Sequence, residues 1–291
     1  MNRPGYVGRF APSPTGPLHF GSLVDAIGSF ADARANGGRW LVRIDDLDTP
    51  RNVPGAHTAI LAELERLALP WDGQVHVQSN DLTRYRQAAE DLRHRQLAFP
   101  CGCSRKVLVN GVYPGRCRDG LATGAAPRAL RLRVDDTAVA VDDRIQGRYE
   151  QRLESHCGDF VVLRADGIVA YHLATVLDDD DAGVTDVVRG LDLLESTPRQ
   201  ITLQRALGLR SPRYAHLPLA IGTDGRKLSK QNLAPATDDV AAGVLWHRVL
   251  EFLGQRPHPS LARASAEDCA TWAIANWRPE AMPRAATAAL P

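Results

Sequence analysis

The stretch Gly8-Arg9-Phe10-Ala11-Pro12-Ser13-Pro14-Thr15-Gly16-Pro17-Leu18-His19-Phe20-Gly21-Ser22-Leu23 decides the fold. Tyr6–Phe10 is short and apolar and reads as a strand. Pro12, Pro14 and Pro17 stiffen the loop that follows, and its glycines let backbone approach a ligand. Gly21–Ala35 reads as a helix closed by Gly37-Gly38. A helix that begins just after a strand and a rigid loop offers free N–H groups and positive potential, a natural seat for phosphate. His19 adds a donor there. The same composition also fits a Pro-rich connector with an incidental histidine.

Outward from this unit the alternation continues. Trp40–Ile44 is a second strand. Ala56–Leu69 carries helical apolar spacing at Ile60, Leu61, Leu64 and Leu67. Val75–Val77 is a third strand, and Leu82–Leu97 a helix started near Ser79-Asn80-Asp81. Strands alternating with helices predict an α/β fold with a parallel sheet. The rhythm breaks at 101–128, which reads as an insertion. Ala129–Val134 and Val139–Val141 are expected as paired strands, and Phe160–Arg164 with Gly167–Tyr171 as a hairpin around Asp166-Gly167. Val184–Val188 is a further strand. Thr197-Pro198 starts a helix through Gln200–Leu207 that Gly208 ends. Ala241–Leu253 and Ala266–Trp277 are helices, and 279–291 a loose tail. The expected organisation is 1–100, an inserted part 101–185, a second catalytic half 186–235 and a short helical part 236–291.

Composition sets outer bounds. The 291 residues are 44% hydrophobic and 24% charged, as in a globular protein with a real core. Thirty-five basic against 34 acidic residues leave +1, which excludes a strongly basic nucleic-acid coat but not a local RNA-binding patch. No run is apolar for long enough to span a membrane. The start lacks the apolar segment of a signal peptide, so a cytoplasmic protein is expected. Five cysteines are an odd number, and three lie between 101 and 117. That favours a metal site in a reducing compartment over a disulfide framework.

A second segment lies more than 200 residues downstream: Lys227-Leu228-Ser229-Lys230-Gln231, after the turn Thr223-Asp224-Gly225. Two lysines in a loop can neutralise charge moving onto a leaving pyrophosphate. Alone, the run is a weak signal, since most such runs are solvated surface.

Together the two segments resemble the class I aminoacyl-tRNA synthetases, in their glutamyl branch. His19-Phe20-Gly21-Ser22 stands where that class has its HIGH signature, and Lys227–Gln231 where it has KMSKS. Arg9–Gly16 is similar to the glutamyl enzymes' lead-in, as are Arg43-Ile44-Asp45-Asp46-Leu47-Asp48, Tyr171-His172-Leu173-Ala174, Val188-Arg189-Gly190 and Ser196-Thr197-Pro198-Arg199-Gln200. The likeness covers roughly 5–255. A chain of 291 residues leaves 60 after Gln231, so no anticodon-binding domain is expected. That shortness, the Cys-rich insertion and the Lys230-Gln231-Asn232 ending look like the branch that attaches glutamate to the queuosine base in the anticodon of tRNA(Asp). The resemblance implies a Rossmann-type doubly wound sheet with an inserted zinc-stapled acceptor-type subdomain. It also implies ATP with Mg²⁺, L-glutamate and queuosine-containing tRNA(Asp) as partners, and a monomer that uses no membrane. A truncated conventional glutamyl-tRNA synthetase and an inactive tRNA-binding paralogue are the other readings.

The resemblance also implies residue roles. Arg9 and Arg189 would take glutamate's carboxylates, Asp45 its ammonium and Tyr171 a further hydrogen bond, with Phe10, Ala11, Pro12 and Ser13 completing the wall. The family's usual residue at 45 is Glu, so Asp45 is one methylene shorter. His19, Gly21, Ser22, Lys227, Ser229 and Lys230 would hold ATP, with His19, Lys227 and Lys230 catalytic. Cys101, Cys103 and Cys117 supply three zinc ligands. The resemblance places Tyr113 fourth, while the residues alone leave a water or a histidine such as His94 open. A structural role is expected for this site, folding a loop-rich insertion too small for its own core. Asp178–Asp181 reads as a solvated turn, Asp46 and Asp48 as surface ion pairs, His172 as a packed histidine, and Cys157 and Cys269 as buried free thiols.

Overall fold

The computed structural model describes residues 5–221, 240–284 and 288–289. Strand β1 (Val7–Phe10) pairs in parallel with β2 (Arg39–Ile44), and β2 with β3 (His76–Val77). A second parallel pair joins β9 (Asp186–Gly190) to β10 (Arg213–Leu217), with Arg189 opposite His216. The two pairs meet edge to edge: the Thr185 N–H donates to the Val7 carbonyl at 2.9 Å, and the Val7 N–H to Thr185 Oγ1 at 2.9 Å. The order β3-β2-β1 then reverses to β9-β10, and the crevice at the carboxyl ends of β1 and β9 is the switch point where such sheets bind ligands.

Helix α1 (Phe20–Ala35) is apolar on nearly every side because it is covered on nearly every side. It lies on the sheet and beneath α7 (Ala242–Phe252) and α8 (Ala266–Asn276). A Cβ at Gly28 would come within 2.6 Å of Leu217 Cδ1, so glycine lets α1 lie this close to β10 without moving the buried leucine. Helix α2 (Ala56–Arg66) is tied to α7 by the Trp246 indole, which donates to the Leu67 carbonyl at 2.9 Å. Period-two alternation sends β9 side chains to both faces: Val188 joins the core under α1, and Val187 joins a second core with α3 (Leu82–His94), α5 (Tyr171–Asp181) and α6 (Thr197–Leu207). Helices on both faces make the fold doubly wound.

The middle of the chain departs from expectation in three places. Strand β5 (Ala129–Leu132) does not pair with β6 (Ala138–Asp143). It lies antiparallel between β4 (Ala98–Cys101) and β8 (Phe160–Leu163), while β6 pairs with β7 (Gly147–Arg152), which runs into the short helix α4 (Leu153–His156). The turn at Asp135–Thr137, where the Thr137 N–H donates to Asp135 Oδ1 at 2.9 Å, redirects the chain. Next, the Asp166-Gly167 turn forms a short hairpin, with the Arg164 N–H donating to the Ile168 carbonyl at 2.9 Å and the Ala170 N–H to the Val162 carbonyl at 3.0 Å, but Tyr171 opens α5 instead of closing the second strand. Finally, the run Asp178–Asp181 is not a solvated turn. It lies on α5, with Asp178 and Asp179 buried.

Segment 102–128 holds the short 3-10 turn Arg105–Val107 and two isolated bridges, Val109 with Val112 and Tyr113 with Gly158. Its small core is Phe99, Cys101, Tyr113 and Cys117. Tail residues Ala288–Ala289 pair in parallel with Ala220–Ile221. Among the described residues, no helix is long and apolar enough to cross a membrane.

Candidate active site

The loop after β1 and the start of α1 wall a cavity of about 380 Å³. Arg9, Phe10, Ala11, Pro12, Ser13, His19, Ser22, Tyr171 and Arg189 all line it. His19 is the N-cap of α1: its Nδ1 accepts from the Ser22 N–H at 3.3 Å, and its Nε2 lies 3.2 Å from Ser22 Oγ. Gly21 lies in the first turn of α1, outside this lining. Asp45 lines an adjoining cavity of about 560 Å³, which shares Ser13, Arg51 and Tyr171 with the first. Lys227, Ser229 and Lys230 fall outside the described residues.

Beneath the cavity lies a buried charge cluster. Arg9 Nε donates to both oxygens of Asp179, at 3.2 and 3.4 Å. Arg43 Nη1 donates to Asp179 Oδ1 at 2.6 Å, and Arg43 Nε to Asp45 Oδ1 at 2.6 Å. Asp178 accepts from Tyr85 Oη at 2.7 Å and Gln78 Nε2 at 2.6 Å. Burial pushes the Asp45 carboxyl up, more than Arg43 pulls it down. Burial acts on Asp179 too, but the flanking Arg9 and Arg43 hold it below the usual range. The cluster fixes the guanidinium of Arg9 and the carboxylate of Asp45 without flexible partners.

Arg189 is 4% exposed. Its Nε donates to His216 Nε2 at 3.1 Å and its Nη2 to Thr197 Oγ1 at 2.8 Å, while Nη1 is buried without a partner. An unpartnered guanidinium corner is costly, and an anionic ligand would satisfy it. Asp179 holds Arg9, Thr197 and His216 hold Arg189, and Asp143 holds His216 at 2.6 Å; none of the four lines the cavity, and sequence reasoning singled out none of them for a role here. For Asp179 a signal existed, because Leu173, Val176 and Leu177 carry helical spacing into the acidic run. A lone histidine on a strand gave none.

The cysteines converge as expected. The ligand atoms of Cys101, Cys103 and Cys117 lie within 4.8 Å of one another, and Cys103 Sγ is 3.6 Å from Cys117 Sγ. The Tyr113 hydroxyl is 3.4 Å from Cys101 Sγ and 4.0 Å from Cys103 Sγ. A tetrahedral zinc with thiolates at about 2.3 Å needs sulfur–sulfur edges of about 3.8 Å, so the four groups fit one ion. His94 is on α3, mostly exposed and turned to Glu90. Arg131 Nε donates to Cys101 Sγ at 3.3 Å, and its guanidinium stacks 4.0 Å from the Tyr113 ring. Burial and hydrogen bonding with Cys101 and Cys117 push the Tyr113 phenol up. A metal cation would reverse that direction.

A class I synthetase catalytic domain is what this fold and site define: the chain belongs to the family described as tRNA synthetases class I (E and Q), catalytic domain, which matches residues 6–110 and 117–256. Among its relatives is a glutamyl-Q tRNA(Asp) synthetase of Aromatoleum aromaticum, 51% identical over 99% of this chain and 94% of that protein. Proteins of the same name from Dechloromonas aromatica and Pseudomonas aeruginosa are each 51% identical, covering 100% and 97% of both partners. In fold, the chain is similar to a glutamate tRNA ligase from Elizabethkingia meningosepticum solved with its amino acid. The TM-score is 0.83 at 23% identity, over 99% of this chain and 67% of that one.

Proposed function

We propose that this protein joins L-glutamate to ATP and transfers the glutamyl group to the queuosine base of tRNA(Asp), working in the cytoplasm. The glutamate α-carboxylate attacks the α-phosphorus, forming glutamyl-adenylate and expelling pyrophosphate. A hydroxyl of the queuosine cyclopentene ring then attacks the mixed anhydride, and AMP leaves with the proton. No enzyme nucleophile is needed; the protein supplies position and charge.

One observation carries this reading: Arg9 and Arg189 share a cavity with His19 at the start of α1, where the sheet order reverses. Arg9 and Arg189 would hold carboxylates, Asp45 the ammonium, and Tyr171 and Ser13 the remaining polar atoms. His19, with Gly21 and Ser22, would meet the ATP phosphates that Lys227, Ser229 and Lys230 close over. Magnesium enters with the nucleotide, and no residue of this chain is assigned to it. The names of relatives covering nearly the whole chain support queuosine as the acceptor.

Cys101, Cys103, Tyr113 and Cys117 would hold one structural Zn²⁺, which folds the segment between 101 and 128. In this reading 1–100 and 186–235 carry adenylate formation and 101–185 presents the nucleoside, while α7 and α8 buttress α1.

Glutamate-dependent ATP–pyrophosphate exchange without tRNA tests the first step. Transfer is tested on tRNA(Asp) with and without queuosine. Charging of unmodified tRNA(Glu), indifferent to queuosine, would overturn the acceptor. No exchange by pure, zinc-loaded protein would favour a binding role.

A further inference from the structure

Behind Arg189 lie two groups with no solvent exposure at all, the side chains of Asp143 and His216. Asp143 closes β6, His216 lies on β10, and Arg189 faces His216 across the β9–β10 register. The hydrogen-bond directions are forced. A guanidinium has donors only, so the Arg189 Nε–H, 3.1 Å from His216 Nε2, requires that nitrogen to accept. The imidazole proton then sits on Nδ1, 2.6 Å from Asp143 Oδ2. Asp143 cannot turn, because its Oδ1 accepts backbone N–H groups from Ile145 at 3.0 Å, Gln146 at 2.8 Å and His216 at 3.2 Å. On the other side, Thr197 Oγ1 accepts from Arg189 Nη2 at 2.8 Å, and its one proton can go to the Leu193 carbonyl or to His216 Nε2, each 3.2 Å away. Two of the three guanidinium nitrogens are thereby committed. Nη1, on a residue that lines the cavity, has no partner.

We propose that Asp143 and His216 are positioning residues: together they fix one imidazole tautomer, which holds the Arg189 guanidinium at the wall of the cavity, where it receives the substrate carboxylate. This rests on the glutamate reading above. It gives the β6–β7 hairpin a place in substrate selection, since Asp143 reaches the glutamate pocket through His216 without lining it.

The chemistry makes an isosteric change informative. In Asp143→Asn, the amide oxygen keeps the three backbone donors and the amide N–H₂ faces His216 Nδ1. The imidazole must then carry its proton on Nε2, donor against donor with Arg189. His216→Leu removes the acceptor, whereas His216→Gln returns one at the Nε2 position. The test measures exchange kinetics of the full chain, together with ¹⁵N NMR of the His216 ring at neutral pH. The wild type is expected to show Nδ1–H with an unprotonated Nε2. Asp143→Asn and His216→Leu should raise the glutamate KM about 10–100-fold, the worth of a hydrogen bond to a charged group, with the ATP KM nearly unchanged. His216→Gln should recover most of the loss. Unchanged glutamate KM in both Asp143→Asn and His216→Leu, failure of His216→Gln to exceed His216→Leu, or an Nε2–H ring in the wild type would each overturn the proposal. A wild type without glutamate exchange would instead overturn the functional reading on which the proposal rests.

Discussion

Arg43 on β2 and Asp179 on α5 meet at 2.6 Å, and each side chain is only 6% exposed. Asp179 also takes Arg9, so one carboxylate joins two guanidiniums across the sheet–helix boundary. Removing a partner from a buried ion cluster leaves uncompensated charge, which typically costs about 3–5 kcal/mol. Asp45 and Asp178 still neighbour Arg43, so Asp179→Ala is expected to cost about 3 kcal/mol, at the low end. Urea denaturation checks this. A loss below about 1 kcal/mol would mean that the cluster re-pairs freely without Asp179.

Acid sensitivity should come in two windows. Burial drives the His172 imidazole down to about 3, aided by the charges of Arg199 and Arg189, and its Nδ1 is buried without a partner. The folded pKa is depressed, so the unfolded chain takes up a proton first. This contribution is fully present above the unfolded value of about 6.5 and is lost as pH falls from there toward 3. Asp179 is also depressed, by Arg9 and Arg43 against its burial, but its stabilisation fades only below the ordinary aspartate range. His216, also pushed down by burial, acts in the same window, so urea midpoints between pH 7 and 4 should decline in the wild type and decline less steeply in His172→Phe. Identical slopes in the two proteins would remove His172 as the cause.

The βαβ start was legible because every local signal in it agrees. Tyr6–Phe10, the prolines and the helix through Ala35 fall within a residue or so of the observed elements. The cysteine cluster was legible because zinc chemistry restricts ligand types, and the structure brings the three sulfurs together. The middle of the chain was not. Strand β7 reads Gly-Arg-Tyr-Glu-Gln-Arg, polar on its open face, so it lacks an apolar run. Strand β4 contains Pro100, which counts against a strand until its neighbours are known. The acids of α5 look like surface in isolation because their countercharges, Arg9 and Arg43, come from strands more than a hundred residues away. The His216–Arg189 contact has the same origin: strand register, not local pattern, creates it.

Metal loss should loosen one segment only. Segment 102–128 has little secondary structure and a small core, so the ion would be its main tie. One zinc per chain is expected by elemental analysis. Chelation should open proteolytic cleavage within 102–128 while β1 and α1 stay protected. Gly158 offers a metal-free way to the same state. It has φ +65°, and a Cβ there would lie 2.2 Å from the Tyr113 carbonyl oxygen. Gly158→Ala must push the backbone at Tyr113 away, so it should lower zinc content as well as stability. Full zinc occupancy in Gly158→Ala would show that Tyr113 is dispensable as a ligand.

Lys230 lies outside the described residues, and its prediction follows from the sequence alone. One preorganised charge contact to a leaving group carries about 3–4 kcal/mol, so Lys230→Ala should slow exchange about 10²–10³-fold. Exchange at the wild-type rate would refute a role in pyrophosphate departure.

His19 has one duty seen in the fold and one proposed for the nucleotide, and substitution can separate them. It caps α1 through Nδ1, and its ring lines the cavity where the nucleotide would sit. A lost N-cap costs about 0.5–2 kcal/mol of stability, whereas a lost phosphate contact costs rate. Asparagine is a good N-cap but places its amide close to the backbone, short of the imidazole's reach. His19→Ala should therefore lose both stability and exchange activity. His19→Asn should recover the melting temperature and leave exchange about 10²-fold slow, since no donor reaches the phosphates. If His19→Asn restored both, the imidazole would be a cap and nothing more, and phosphate binding would fall to the backbone N–H groups of α1 and the lysine loop.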